Sequence, residues 1–221
     1  RLSQISPKVL IAADGYQYLG KQHSCLDVIT HLVEQIPAIQ HAFVVNNIES
    51  DLSGTGDRIQ RWDQLLDPND TEIVFAQLPF DHPIYIMYSS GTTGKPKCIV
   101  HGAGGTLLQH FKELALHTDL RRDDTIFYFT TCGWMMWNWL ISSLMIGATI
   151  VLYDGSPAHP SVNSLWELAE REGISIFGTS PKFLSTCQHA GIRPIADDSL
   201  PRLRTILSTG SPLTAENFSY V

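Results

Sequence analysis

A chain of 221 residues, 43% of them hydrophobic and 17% charged, holds enough apolar material for one large core or two smaller ones, which excludes a disordered tail. Its formal net charge of -7 argues against nucleic acid as a partner, because affinity for a phosphate backbone comes from clustered Lys and Arg. Cys25, Cys98, Cys132 and Cys187 are scattered with no CxxC pair and no signal-like start, a pattern of reduced thiols that predicts a cytosolic protein without a membrane span.

In chain order, the apolar run at residues 9–13 reads as a buried strand. Ser24 then opens a helical face of Leu26, Ile29, Leu32, Val33 and Ile36 that Pro37 ends, and residues 42–45 form a second strand, giving a β-α-β unit. Residues 49–57 are polar and Gly-containing and read as a surface loop. Residues 84–88 are a strand, 89–97 a Gly/Thr/Lys-rich loop, and Leu107, Leu108, Phe111, Leu114 and Ala115 mark an inward helical stripe. Strands are predicted at 126–129 and 149–153, flanking an apolar helix that begins near Trp134. Asn138, Ser142 and Ser143 interrupt this stretch, and it is shorter than the roughly 20 residues a bilayer requires. A helix opened by Ser164 and closed by Gly173 precedes a strand at 174–177, and Ser180 with Pro181 starts another helix. Residues 205–207 run into a last glycine loop. This alternation predicts an α/β fold with mainly parallel sheets flanked by helices, in which ligands gather at the carboxyl ends of strands. Both glycine loops are expected at such ends.

Tyr88-Ser89-Ser90-Gly91-Thr92-Thr93-Gly94-Lys95-Pro96-Lys97 is the most informative segment. Two glycines free the backbone, hydroxyls offer donors and two lysines bring positive charge, a combination suited to a phosphate chain. The same composition serves a polar surface turn equally well. It is not the Walker pattern, which needs four residues between its glycines and Ser or Thr after the Lys.

The ordering of these ten residues resembles the phosphate-loop signature of the adenylate-forming superfamily, which includes acyl-CoA synthetases, luciferases and peptide-synthetase adenylation domains. The resemblance implies that Ser89, Ser90, Gly91, Thr92, Thr93, Gly94 and Lys97 hold the β- and γ-phosphates of ATP, with Lys95 a solvated charge. Thr209-Gly210-Ser211-Pro212-Leu213 resembles the adenine-binding segment of that family, with Ser211 where short-chain members carry an acid, and Gly210, Ser211 and Pro212 are carried over. Taken alone, this segment is also a helix-opening turn before Thr214.

Gly133-Trp134-Met135-Met136 stands where the superfamily lines its acyl pocket; Trp134, Met135 and Met136, with Thr209, would bound a slot for a short acid. Trp137 and Trp139 are assigned to core, the usual fate of Trp/Met stripes. Together with His101-Gly102-Ala103-Gly104-Gly105-Thr106 and residues 151–157, the run resembles the acetoacetate-activating branch of the acyl-CoA synthetases, recognisably from about residue 80 to 215. Residues 1–80 are then a β-α-β portion of a large N-terminal domain, and residues 81–221 its nucleotide- and acyl-binding portion.

The expected co-substrates are ATP with Mg2+, acetoacetate and coenzyme A. The family's catalytic lysine, on a mobile C-terminal domain, and an aromatic-Gly-x-Thr-Glu segment are not found up to Val221, so the chain reads as a central piece inactive alone. Acetate or propionate as the acid, and a non-catalytic nucleotide-binding relative, are the alternatives. No protein-held metal is expected, since the nine histidines and four cysteines lack ligand spacing. His101 reads as a packed histidine rather than a catalyst, and Asp123-Asp124 as a solvated turn.

Overall fold

Residues 1–89, 94–194 and 200–221 are described by a computed structural model, in which the chain forms two compact units, residues 1–102 and 103–221. In the first, β1 (Val9–Ala13) is followed by a hairpin that the sequence reading missed, β2 (Gly15–Tyr18) with β3 (Lys21–Ser24). Next come α1 (Leu26–Gln35), β4 (His41–Val45) and β5 (Ile59–Arg61), with β1, β4 and β5 forming a parallel sheet in the order β1-β4-β5. The predicted β-α-β unit is therefore present. Ile29, Val33 and Ile36, spaced by four and three, bring one face of this segment onto Ala42, Val44 and Ile59. Each such side chain contributes roughly 1.5–3 kcal/mol by leaving water.

Asp14, between β1 and β2, is fully buried and ties down the loop after β4. Its Oδ1 accepts from the backbone N–H of Asn47 (2.8 Å) and Ile48 (3.0 Å), and its Oδ2 from that of Ser50 (2.8 Å). Burial alone would raise the carboxyl's pKa, but these donors together hold it below the ordinary carboxylate value.

The predicted strand at 84–88 is β6 (Pro83–Ser89), but its partner is β7 (Lys97–Gly102), antiparallel, with Ser89 opposite Lys97. This corrects two expectations. Residues 97–102 are a strand, and the Gly/Thr/Lys loop joins two antiparallel strands instead of capping a parallel one. The reason is local: Cys98, Ile99 and Val100 favour extended backbone, and a loop of this length allows immediate reversal.

In the second unit, α2 (Ala103–Lys112) runs into a π-helical segment, Glu113–His117. Then come β8 (Thr125–Tyr128), α3 (Met135–Ile141), β9 (Thr149–Val151), α4 (Ser164–Arg171), β10 (Ile176–Thr179), α5 (Pro181–His189), β11 (Thr205–Ser208) and α6 (Ala215–Tyr220). The four strands form one parallel sheet in the order β11-β10-β8-β9. Every residue of β8 and β10 is buried, as expected of central strands covered on both faces. Phe127 and Phe177 pack on Leu165, Trp166, Phe183 and Leu184, while Ile126 and Ile176 pack with Leu114, Trp139 and Leu140.

Three sequence expectations shift here. Strand β10 starts two residues late because the Ile174 N–H bonds Ala169 O (2.9 Å), finishing the turn after α4. The predicted strand at 149–153 stops at Val151, where its pairing with Phe127 ends. In α2, Leu107, Leu108 and Phe111 are exposed, and the inward positions are His110 and, in the π segment, Leu114.

Asp124 is also not the solvated group expected. It is buried, and its carboxylate accepts from Ser175 Oγ (2.7 Å), the Arg121 backbone N–H (2.8 Å) and Arg204 Nη2 (2.6 Å). Asp124, Ser175 and Arg204 each stand just before a strand, β8, β10 and β11 respectively, so one cluster aligns the amino ends of three adjacent strands.

Candidate functional site

The register fixed by that cluster carries four residues along each strand to the carboxyl edge of the sheet, where loops follow β8, β10 and β11. In an open parallel sheet this edge is where ligands bind. After β8 the chain reaches Trp134, whose N–H bonds Thr131 O (2.9 Å) before α3 begins at Met135. After β11 the Thr209 N–H bonds Thr179 O (3.2 Å), extending the ladder by one residue into Gly210-Ser211-Pro212. Gly210 has φ +102°, a conformation that side chains disfavour, so the turn requires glycine there. Thr214 then caps α6 by accepting from the Asn217 N–H (3.2 Å).

The predicted acyl and adenine residues thus share one sheet edge, on strands separated by β10. Trp134 is 59% and Met135 50% exposed, Thr209, Ser211 and Pro212 are exposed, and Met136 packs against Trp139 and Leu140. Trp139 is core as expected, and Trp137 is half-buried. A cavity of about 560 Å³ elsewhere in this unit, lined by Trp166, Arg193, Ile206 and Tyr220 among others, contains none of the predicted site residues.

Under this edge the packing is tight. The Tyr128 ring lies over Gly178, where an added Cβ would come within 2.1 Å of it. Burial pushes the Tyr128 phenol up to about 12. Beside it, Thr179 and Ser208 are register partners whose hydroxyls are buried and have no hydrogen-bond partner among the described residues.

The predicted phosphate-loop residues belong to the first unit. Ser89 ends β6 and Lys97 begins β7, and as direct cross-strand partners they project from one face of the hairpin. Lys97 and Gly94 are exposed, Gly94 with φ +103°. Ser90, Gly91, Thr92 and Thr93 lie outside the described residues. The N-terminal segment braces the base of the loop: Gln4 Nε2 donates to Pro96 O (3.0 Å), and Tyr88 OH donates to Arg1 O (3.2 Å). His101 lies on β7 opposite Tyr85 and is exposed, not packed.

Two polar residues escaped the sequence reading, His110 and Glu113, which hold α3 from the side of α2 and its π segment. The only signal was a pair of polar residues three apart in a helical stretch read for its apolar stripe. Among the described residues no group of three or more His, Cys, Asp or Glu is placed to hold a metal ion, and no helix is long and apolar enough to cross a membrane.

Comparison with known proteins places this arrangement. The acetoacetyl-CoA synthetase of Danio rerio is 47% identical over 229 aligned residues, covering all of this chain and 34% of the relative. The acetoacetyl-coenzyme A synthetase of Rhizobium meliloti (strain 1021) is 45% identical, again over the whole chain and 34% of the relative. The structure of an acetoacetyl-CoA synthetase from Streptomyces lividans superposes on the whole chain and 33% of its own length, with a TM-score of 0.92 and 42% identity. The chain spans about a third of the length of these relatives. A family profile described as AMP-binding enzyme matches residues 1–219, and the chain accordingly belongs to the AMP-binding enzyme family.

Proposed function

We propose that the protein carrying this chain is an AMP-forming acid:CoA ligase acting on acetoacetate. The carboxylate attacks the α-phosphorus of ATP, forming acetoacetyl-AMP and releasing pyrophosphate; the thiol of coenzyme A then attacks the acyl carbonyl, giving acetoacetyl-CoA and AMP. Mg2+ enters with ATP as part of the substrate. The observation that carries this reading is similarity along the entire chain to proteins named acetoacetyl-CoA synthetase, with the ten-residue phosphate signature in place.

The residues present suit the chemistry. Departing pyrophosphate accumulates negative charge, which the Lys97 ammonium neutralises while Ser89, Ser90, Thr92 and Thr93 hydroxyls and the freed backbone at Gly91 and Gly94 supply donors. Gly210, Ser211 and Pro212 receive the adenine through their backbone, so Ser211 in place of an acid leaves those contacts possible. Trp134, Met135, Met136 and Thr209 bound the acid, and their bulk leaves room for a short one. Residues 81–221 carry this chemistry, and residues 1–80 supply a β-α-β portion of the scaffold. Four free cysteines suit a cytosolic enzyme of lipid metabolism.

The test is pyrophosphate release by the full-length protein with ATP and Mg2+ across acetoacetate, acetate and propionate, followed by thioester formation with coenzyme A. Acetoacetate is expected to give the highest kcat/KM, and Lys97→Ala to lower it by about 10²-fold or more, the scale of losing one charge-stabilising donor. Absence of acid-dependent pyrophosphate release would refute the ligase reading; preference for acetate or propionate would reassign the acid.

A further inference from the structure

Helix α3 has only seven residues, and its first turn presents Met135 and Met136, directly after Trp134. Its buried residues Trp139 and Leu140 pack into an apolar cluster with Leu114, Leu120, Ile126 and Ile176. Such a surface resists withdrawal into water but does little to stop a short helix from sliding or rotating, because apolar contact is non-directional. Direction comes instead from two polar bridges. Glu113 Oε2 accepts from Trp139 Nε1–H (3.0 Å), and His110 Nδ1 meets Ser142 Oγ at 2.8 Å. Since Ser142 donates its own proton to Asn138 O (2.9 Å), His110 Nδ1 is the donor in that contact. The bridging residues are three apart on each side, 110 and 113 facing 142 and 139, so the two bonds together fix both translation and rotation.

Glu113 is held in turn by Gln109 Nε2, which donates to its Oε1 (2.5 Å). It also opens the π-helical segment, whose wide turn closes through the Thr118 N–H to Glu113 O (2.9 Å). Interruptions of this kind inside helices are found frequently at functional sites. Trp139 lies four residues after Met135 and three after Met136, so a displacement of its ring is passed to the face that begins the acid slot.

We propose that Glu113, with His110, is a positioning residue that sets the size of the acid-binding slot by fixing the register of α3 through Trp139 and Ser142. The proposal rests on the ligase reading above and adds to it a determinant of acid length that touches no substrate.

The experiment uses the full-length protein with Glu113→Ala, Glu113→Gln, Trp139→Phe and the Glu113→Ala/Trp139→Phe double variant. KM for ATP and KM for the acid are measured separately over acetate, propionate, butyrate and acetoacetate. Glu113→Ala and Trp139→Phe are each expected to raise the KM of the preferred acid about tenfold and to flatten the preference among acids, on the scale of one misplaced methylene in a pocket. The double variant should be no worse than either single one. Glu113→Gln keeps an acceptor for the indole and should retain the parent's preference, and the KM for ATP should stay within about twofold in all four.

An unchanged acid profile in Glu113→Ala would overturn the proposal, as would equal rises in the KM of ATP and acid. If Glu113→Ala fails to fold by circular dichroism, Trp139→Phe carries the same test, since it removes the indole donor while keeping an aromatic ring in the core. A parent protein that releases no pyrophosphate with any short acid overturns the ligase reading and this proposal with it, whereas an active parent with unresponsive variants overturns the proposal alone.

Discussion

Replacing Asp124 by alanine removes the acceptor shared by Ser175 Oγ, the Arg121 N–H and the Arg204 guanidinium. The Asp124 side chain is 9% exposed and that of Arg204 36%, so the carboxylate is desolvated while part of the cation can rehydrate. Breaking a fully buried pair costs about 3–5 kcal/mol, and the exposure of Arg204 moves the figure to the low end, about 3 kcal/mol. For a protein of this size that is a fall of about 6–12 °C in Tm.

The effect carries a pH signature. Burial pushes the Asp124 carboxyl up, but hydrogen bonds from Arg204, Ser175 and Arg121 and the charge of Arg204 together bring it below its ordinary 3.8. A folded-state value depressed below the unfolded one contributes stability that is complete above the unfolded pKa and disappears as pH falls through the folded value. The parent should therefore lose stability on acidification below about pH 4 more steeply than Asp124→Ala. Equilibrium urea unfolding at several pH values, followed by the fluorescence of the buried Trp139 and Trp166, measures both quantities. A variant within about 0.5 kcal/mol of the parent at neutral pH, the range of ordinary surface changes, would refute the claim that this cluster aligns three strands.

Other substitutions probe separate features. Gly178→Ala should destabilise by about 1–3 kcal/mol through collision with the Tyr128 ring, read as a drop in Tm that trimming Tyr128 to Leu partly reverses. Asp14→Ala strands three backbone donors of the loop after β4 and should cost about 2–4 kcal/mol, with faster amide hydrogen exchange at residues 47–50. Thr179→Val replaces an unpartnered buried hydroxyl by a methyl of the same shape and should leave Tm unchanged or raise it, by up to about 1 kcal/mol in stability. Ser180→Ala removes the cap that accepts from the Phe183 N–H (3.3 Å) and should cost about 1 kcal/mol by urea unfolding.

Elements announced by short-range physics were legible in the sequence. Pro181 behind Ser180 marked the start of α5 and Gly173 the end of α4, because capping and left-handed turns are chosen by residues a few positions apart. Apolar strand-length runs marked β1, β4, β6, β8 and β11, and the order of hydroxyls, glycines and lysines around Gly91 carried the resemblance to the adenylate-forming superfamily. The hairpins were missed because β3 and β7 have no strict polar alternation to reveal them, and pairing direction depends on a partner strand. The stripe in α2 was misplaced for a related reason, since 3.6-residue counting assumes a regular helix and the π segment at Glu113 inserts an extra residue.

What the sequence by itself determined was the α/β class and the segments whose residue order resembles the phosphate, adenine and acid loops of the family, because both follow from local order along the chain. Tertiary structure alone decided that Asp124 is a buried clamp, that Tyr128 overlies Gly178, and that His110 and Glu113 grip α3. Each of those joins positions 26 to 80 residues apart, and no local pattern records a contact whose partner is supplied by the path of the sheet.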